Sequence, residues 1–395
     1  MLLGGIRYLL PVIKAAHEQG YYVITADYLP DNIAHKYSDE YVNVSIIDKE
    51  AVLKVAQEKK IDGIMSFGVD PGVIAASYVQ NKMGLPSFGP YESIEILQNK
   101  DKFRSFLSEN GFNVPWAYCF CSKEEVFDNI QQLSYPLIVK PTDSAGSKGV
   151  TRVNKETDLG QALDYAFNNA IKGKIIIEEF IEKKGCSSDT DSFSYNGELK
   201  MVTFSAQRFD ENATNPYTPA AYSWPATFSQ EECNYLKNEI QRLLTLLNMN
   251  SSIYNIETRI GTNGKPYIME VSPRGGGNRL AEVVRYATGV DMITACTRAA
   301  VGDSIDNIEQ KPYIGHWAEI VLHANNSGIF QELNIDSSLP AEIIEKDLWI
   351  KPGDKVEGFN GANNAIGMLI LKFQTSEELE KALANQEAWL KVIVK

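Results

Sequence analysis

The chain has 395 residues, 44% of them hydrophobic and 23% charged, the make-up of an ordinary folded protein with room for about two to three domains. Against 38 Lys and Arg stand 51 Asp and Glu, a net charge of −13, and no run of like charge forms a basic stripe, so nucleic acid and anionic membranes are poor partners. No apolar stretch approaches the ~18 residues that span a bilayer, and the N-terminus lacks a basic-then-apolar secretion pattern, which makes the cytoplasm the expected location.

The five cysteines, Cys119, Cys121, Cys186, Cys233 and Cys296, are odd in number and have no CxxC spacing, which argues against a disulfide framework or structural zinc. With only four histidines, His17, His35, His316 and His323, a metal here would have to be held by carboxylates, which points to Mg or Mn.

From Met1 to about Pro90 helix and strand alternate. Pro11 to Gln19 reads as a helix, Tyr21 to Ala26 as a strand ending at Asp27, Lys49 to Lys59 as a helix and Gly63 to Phe67 as a strand. Such alternation predicts a parallel sheet with helices on its faces. Gly4-Gly5 follows a very short first strand without GxGxxG spacing, so a plain strand-to-helix turn is a better reading than a dinucleotide site, and Asp27 as a ribose ligand shares that weakness. A helix from Lys100 to Ser108 is marked by Asn99 before it, Phe103, Phe106 and Leu107 on one face, and Gly111 as its stop. A short α/β segment to about Ile181, a larger one to about Gly302 and a strand-rich C-terminal piece follow.

Within these, Pro136 to Pro141 reads as a buried strand carrying Lys140 at its end, followed by the loop Thr142 to Gly149 and another strand. Small residues let backbone N–H groups turn toward an anion, although the spacing is not that of a Walker loop and a simple hairpin connection explains it as well. A lysine ending a buried strand needs a partner there. Ile175 to Ile181 is a strand leaving Glu178 and Glu179 beside apolar neighbours; such an end can offer backbone groups to an adenine edge, or be only a core strand reaching solvent.

The most informative stretch is Ser251 to Arg274. Asn255, Glu257 and Arg259 share one parity of a strand, and Glu270 and Ser272 share a face of the next. Asn263-Gly264 lies between them as a hairpin signal. A two-residue turn there puts Glu257 opposite Glu270 and Asn255 opposite Ser272. Directly opposed carboxylates repel, and a divalent cation bound by both removes that cost. The plainer alternatives are solvent-facing glutamates or a bulge near Pro266 that breaks the register. Arg274 and Gly275-Gly276-Gly277 continue the row, and an arginine beside a metal suits a polyphosphate.

Taken in order, these pieces resemble the ATP-grasp superfamily of carboxylate–amine ligases. The matching elements are Asp101-Lys102 opening a helix, Lys140-Pro141 before a glycine-serine loop, Glu178-Glu179-Phe180-Ile181, and Glu257 followed by Glu270-Val271-Ser272-Pro273-Arg274, over about residues 1 to 305. The resemblance implies mixed α/β and α+β architecture: an N-terminal Rossmann-like domain (1–95), a two-subdomain ATP-grasp fold (96–187 with the lid and linker helix, 188–305 with the metal site) and a small C-terminal α+β domain (306–395). It implies ATP and Mg (or Mn) as cofactors. Lys102 and Lys140 would contact the nucleotide, with Lys100 a rival to Lys102. Ser144, Ala145, Gly146, Ser147 and Gly149 would belong to a flap over the triphosphate. Glu178, Glu179, Phe180 and Ile181 would hold adenine and Asp189 the ribose. Glu257, Glu270 and Ser272 would bind metal, and Arg274 with Lys140 would act in catalysis. The family usually has asparagine where Ser272 stands, a stronger ligand, and the segment Glu182 to Asp189 aligns ambiguously.

The implied chemistry is attack of a carboxylate on the γ-phosphate, giving an acyl phosphate and ADP, then displacement of phosphate by an amine. It needs no side-chain nucleophile, in keeping with the lack of a Ser-His-Asp or Cys-His pattern. The expected partners are a small carboxylate, with an amino acid favoured, and an amine, and a homodimer is one option for the assembly. The alternatives are a phosphoribosylamine–glycine ligase-like enzyme, a carbamoyl-phosphate or carboxylase-like subunit, or a non-catalytic ATP-binding protein. Gln207 to Pro225, rich in aromatics and prolines, reads as a pocket wall or equally as a surface loop. His316 to Glu319 opens a C-terminal strand, its histidine more a structural than a catalytic residue.

Overall fold

The computed structural model describes residues 1–143, 148–306 and 308–395. They form two compact units, each assembled from three stretches of chain. One comprises Met1–Val114, Asp189–Thr203 and Ser229–Lys311; the other comprises Pro115–Ser188, Phe204–Phe228 and Pro312–Lys395.

The first unit contains the anticipated parallel sheet. Its strands lie in the order Glu40–Asn43, Ile24–Asp27, Leu2–Leu3, Met65–Ser66, with Leu2 paired to both Thr25 and Met65. The helix Lys49–Lys59 has the expected bounds because its ends are chemically marked: Asp48 accepts the Ala51 N–H and Lys60 leaves the helix at φ +50. The second strand is shorter than expected, beginning at Ile24 rather than Tyr21. At the Gly4-Gly5 turn a Cβ on Gly5 would fall 2.5 Å from the side chains of Asn32 and His35. Those side chains fill the place a pyrophosphate would need. Asp27 is occupied too, accepting from Asn32 Nδ2 at 2.9 Å and from the Leu29 N–H at 3.2 Å. The plain turn is therefore the correct reading.

The same unit holds a four-stranded antiparallel sheet in the order Glu198–Met201, Ser188–Tyr195, Ser252–Ile260, Pro266–Ser272. Helix Gln230–Leu246, started by a reciprocal Ser229/Glu232 cap, packs against Pro266–Ser272. Helix Met292–Val301 packs against both Leu10–Glu18 and Ser252–Ile260, so the parallel and antiparallel sheets share one core.

In the second unit, strands Ala117–Phe120, Ile175–Glu179, Leu137–Pro141 and Thr151–Val153 make an antiparallel sheet. Leu137, Val139, Ile175 and Ile177 point to one face, where Leu159, Leu163 and Ala166 of helix Leu159–Asn169 cover them. A five-stranded sheet follows, ordered Ala206–Phe209, Pro219–Trp224, His316–Leu322, Gly367–Phe373, Glu342–Leu348, with Leu369, Leu371, Leu379 and Trp389 in its core. The segment Gln207 to Pro225 consists of two strands, in which Tyr222 and Trp224 are buried, joined by a loop over residues 210–218, so it is in part sheet and in part loop. His316 opens a strand as expected. No described helix is long and apolar enough to cross a membrane.

Candidate active site

In the antiparallel sheet of the first unit, Glu257 pairs with Glu270 and Asn255 with Ser272. The expected partners meet, by a different route. The connection is no two-residue turn: the strands end at Ile260 and begin at Pro266, Gly264 N–H donates to the Gly261 carbonyl at 2.9 Å, and Gly264 takes φ +74. Such a loop offsets the register by one residue, so that Thr258 faces Ile268. A bulge at Met269 removes the offset before Glu270 is reached. Its carbonyl is not orphaned, because the buried Arg104 donates to it at 2.8 Å.

The strand Ser188–Tyr195 adds Asp189 and Asp191, of the same parity as each other and tied to the row by Asn255, whose amide donates to Asp189 at 2.8 Å. One face of the sheet therefore carries four carboxylates. Glu257 has Arg259 at 3.4 Å, and Glu270 has neither hydrogen bond nor ion pair among the described residues. Asp191 is wholly buried; one of its oxygens accepts the Gly276 N–H at 2.8 Å and the other has no hydrogen-bond partner. Burial, reinforced by the charges of Glu257 and Glu270, pushes the Asp189 carboxyl up to about 7 against the pull of Asn255 and Arg274. Burial likewise pushes Asp191 up to about 7, opposed by the Gly276 N–H and Arg274. The face is short of positive charge.

Arg274 closes the row, and Asp70, a residue not picked out from the sequence, grips it: Asp70 Oδ1 and Oδ2 accept from Arg274 Nε and Nη2, both at 2.8 Å. Burial would weaken this guanidinium's hold on its proton, but the Asp70 carboxylate and the more distant Asp191 and Asp189 more than compensate. Burial would likewise raise Asp70, yet Arg274 holds it below the usual carboxylate range. Ser272 Oγ donates to Asp70 at 2.9 Å and accepts from Gln98 Nε2 at 2.8 Å. At the start of helix Lys100–Glu109, Lys102 is paired with Glu95 at 3.1 Å, whereas Lys100 contributes to the field at Asp70. Asp189, considered above for ribose, stands on the sheet face that carries Glu257 and Glu270.

In the second unit the sheet face opposite the helix carries Ile138, Lys140, Ile176 and Glu178. Lys140 and Glu178 form an ion pair in which the glutamate is 1% exposed and the lysine 14%. Aliphatic side chains flanking a single polar pair form a surface onto which a flat heterocycle fits. Glu179 N–H donates to the Trp116 carbonyl at 2.9 Å and Phe180 N–H to the Pro136 carbonyl at 3.2 Å, so both are engaged within the sheet. Ile181 is buried, and the Phe180 ring lies under Arg152 at 4.1 Å. Asp143 accepts the N–H groups of Ile171 and Lys172 at 3.0 and 2.8 Å. Ser144, Ala145, Gly146 and Ser147 lie outside the described residues. Gly149 takes φ +75, and a Cβ there would fall 2.7 Å from Pro141.

A family model described as an ATP-grasp domain matches residues 133–282, a span that includes Lys140, Glu178, Glu257, Glu270 and Arg274. The ATP-grasp likeness expected from the sequence is thus shown over residues 133–282. Among curated ATP-grasp relatives, the C-terminal section of the carbamoyl phosphate synthase large chain of Aquifex aeolicus is 24% identical over 299 residues, 75% of this chain and 54% of that protein. The arginine-specific large chain of Bacillus subtilis is 22% identical, over 82% of this chain and 31% of its own length. The chain thus spans about half, or less, of the length of these relatives. Two solved structures share the fold along its whole length: the L-amino acid ligase of Bacillus licheniformis (TM-score 0.81, 21% identity, 98% of that chain) and the phosphoribosylglycinamide synthetase of Anaerococcus prevotii (TM-score 0.77, 20% identity, 98% of that chain). The N-terminal Rossmann-like portion, the ATP-grasp portion and the C-terminal α+β portion are all present.

Proposed function

We propose that the protein is an ATP- and Mg-dependent ligase that activates a carboxylate as an acyl phosphate, with release of ADP, and joins it to an amine with release of phosphate. The observation that carries this reading is the Glu257–Glu270 pair, opposed on one sheet face beside Arg274, with Glu270 lacking a partner among the described residues. A hard divalent cation fits there. The face has surplus carboxylate, and the upward displacement of Asp189 and Asp191 reports the same lack of positive charge. Among the described residues no three of Asp, Glu, His or Cys converge into a cage, which suits Mg, an ion that ordinarily takes one or two carboxylates and completes its shell with water and phosphate oxygens.

In this reading Glu257 and Glu270 hold the metal, which when bound supplies positive charge at the phosphoryl oxygens. Arg274 stabilises the transferring group. Lys140 binds phosphate, and Glu178 with Ile138 and Ile176 receives the base; Glu179, Phe180 and Ile181 frame it. Lys102 assists at the nucleotide. The work of these residues is positioning and charge stabilisation, so no enzyme nucleophile is needed. The L-amino acid ligase likeness favours an amino acid or another small carboxylate as substrate. The test is ADP and phosphate release measured over a panel of amino acids and small carboxylates with amines. Amine-dependent ADP formation is expected; AMP as product, or tight ATP binding with no turnover on any pair, would overturn the proposal.

A further inference from the structure

The turn after strand Met65–Ser66 contains an aspartate that departs from a local rule. Asp70 occupies the N-cap of helix Pro71–Met83, where a carboxylate ordinarily accepts an N–H of the first turn, yet its side chain makes no capping bond. Both oxygens go elsewhere: Oδ1 accepts from Arg274 Nε and Ser272 Oγ, and Oδ2 from Arg274 Nη2. The helix end favours the charge without a direct cap, since its N-terminus is the positive end of the dipole. Two more links join the same segments. Gly68 N–H donates to the Gly275 carbonyl at 2.9 Å, and a Cβ on Gly275 would fall 2.2 Å from the Phe67 ring. The turn 67–70 is therefore docked tightly on residues 272–275.

A guanidinium has five N–H groups. In Arg274 two go to Asp70 and one, from Nη1, to the Gly275 carbonyl at 3.0 Å. Two remain, one on each terminal nitrogen, in a plane that the fork with Asp70 fixes. A donor pair held in place before the reaction need not reorganise as charge develops. Ser272 is drawn into this anchor from both sides, its proton committed to Asp70 and one lone pair to Gln98.

We propose that Asp70 is a positioning residue for phosphoryl transfer: it holds Arg274 so that the two remaining N–H groups meet the transferring phosphoryl oxygens, and Ser272 is a link in that anchor rather than a metal ligand. This rests on the ligase reading above. The probes are Mn²⁺ alone, followed by its EPR signal, and then ATP and ADP titrated calorimetrically with Mn²⁺ present. In Asp70→Asn the half-saturation for Mn²⁺ stays within about twofold of wild type, while the preference for ATP over ADP falls about tenfold, as expected for a misaligned charge-assisted donor pair. In an Arg274→Lys background the same substitution changes the preference no further, a coupling that a merely structural role would not produce. If Asp70→Asn melts early, Ser272→Ala serves: Mn²⁺ affinity unchanged and a preference about threefold weaker are expected. An unaltered ATP preference in both variants overturns the proposal, as does a loss of Mn²⁺ affinity in Ser272→Ala comparable to that in Glu270→Ala. If Glu270→Ala binds Mn²⁺ as wild type does, it is the ligase reading that has failed, and the anchor falls with it.

Discussion

The two units bury charge in opposite ways. In the second, Lys140 and Glu178 neutralise each other within one sheet, each the other's partner in a nearly dry setting. In the first, Arg274 is matched by Asp70, while Glu270 has no ion pair among the described residues and Asp191 keeps one buried oxygen without a hydrogen-bond partner. A buried pair of opposite charges makes a fixed surface. A face left acidic makes a place for a cation. The difference teaches that the functional signal is not buried charge as such but the part of it that the chain leaves uncompensated.

The sharpest attempt to break this contrast is Glu270→Ala. Removing one of two metal-holding carboxylates should lower Mg-dependent ADP release by about a thousandfold or more, because metal neutralisation of a moving phosphoryl group is worth several kcal/mol. The melting temperature should hardly fall; turnover at the wild-type rate would place the metal elsewhere. In the second unit the balance reverses: Lys140→Ala should weaken ATP binding and also destabilise the fold, by about 3–5 kcal/mol, because it removes the cation that is ion-paired with the buried Glu178. Denaturant melts of Lys140→Met combined with Glu178→Leu would sharpen the point, since the double variant should regain stability without regaining ATP affinity.

A smaller effect is expected for Arg104→Ala, which leaves the Met269 carbonyl unpaired and should cost about 1–3 kcal/mol. A weakened response to Mn²⁺ in the same variant would show that the bulge sets the glutamate pair. The mildest prediction concerns pH. Asp189 and Asp191 hold protons up to about 7 when folded, against an ordinary value of 3.8. Between those values the folded state keeps protons that the unfolded chain has released, so metal-free protein should lose stability as pH rises from about 4 to about 7 and level off above. Added Mg should offset the loss, and Asp191→Asn should flatten the slope; a melting temperature that climbs across that window in metal-free protein would contradict the assignment.

Much of this arrangement was legible in the residues because it obeys short-range rules. Strand parity put Asn255 with Glu257 and Glu270 with Ser272, an assumed two-residue turn put the two glutamates opposite each other, and Lys140 and Glu178 stand near the ends of continuous apolar runs that bury themselves. The helix Lys49–Lys59 was legible from its caps. Asp70 was not, since its partner Arg274 lies 204 residues away and no local pattern joins them. The one available hint was an Asp-Pro step following a parallel strand, the end of the sheet at which such folds place ligands. The assembly of each unit from three separate stretches was equally hidden, because it depends on packing between distant segments. A bulge was weighed only near Pro266 and as something that would break the register; at Met269 it keeps the glutamates paired, because a loop and a bulge with opposite offsets give the same facing pair as a simple turn.

That cancellation bears on how related chains should be compared. Twelve residues separate Glu257 from Glu270, enough for a tight two-residue reversal with no irregularity at all. A version one residue shorter, lacking Met269, would pair the two glutamates just as well across a straight ladder. Hairpins of both lengths can thus preserve the same facing pair, and a single-residue gap at this place in an alignment is no sign that the opposed glutamates have been lost.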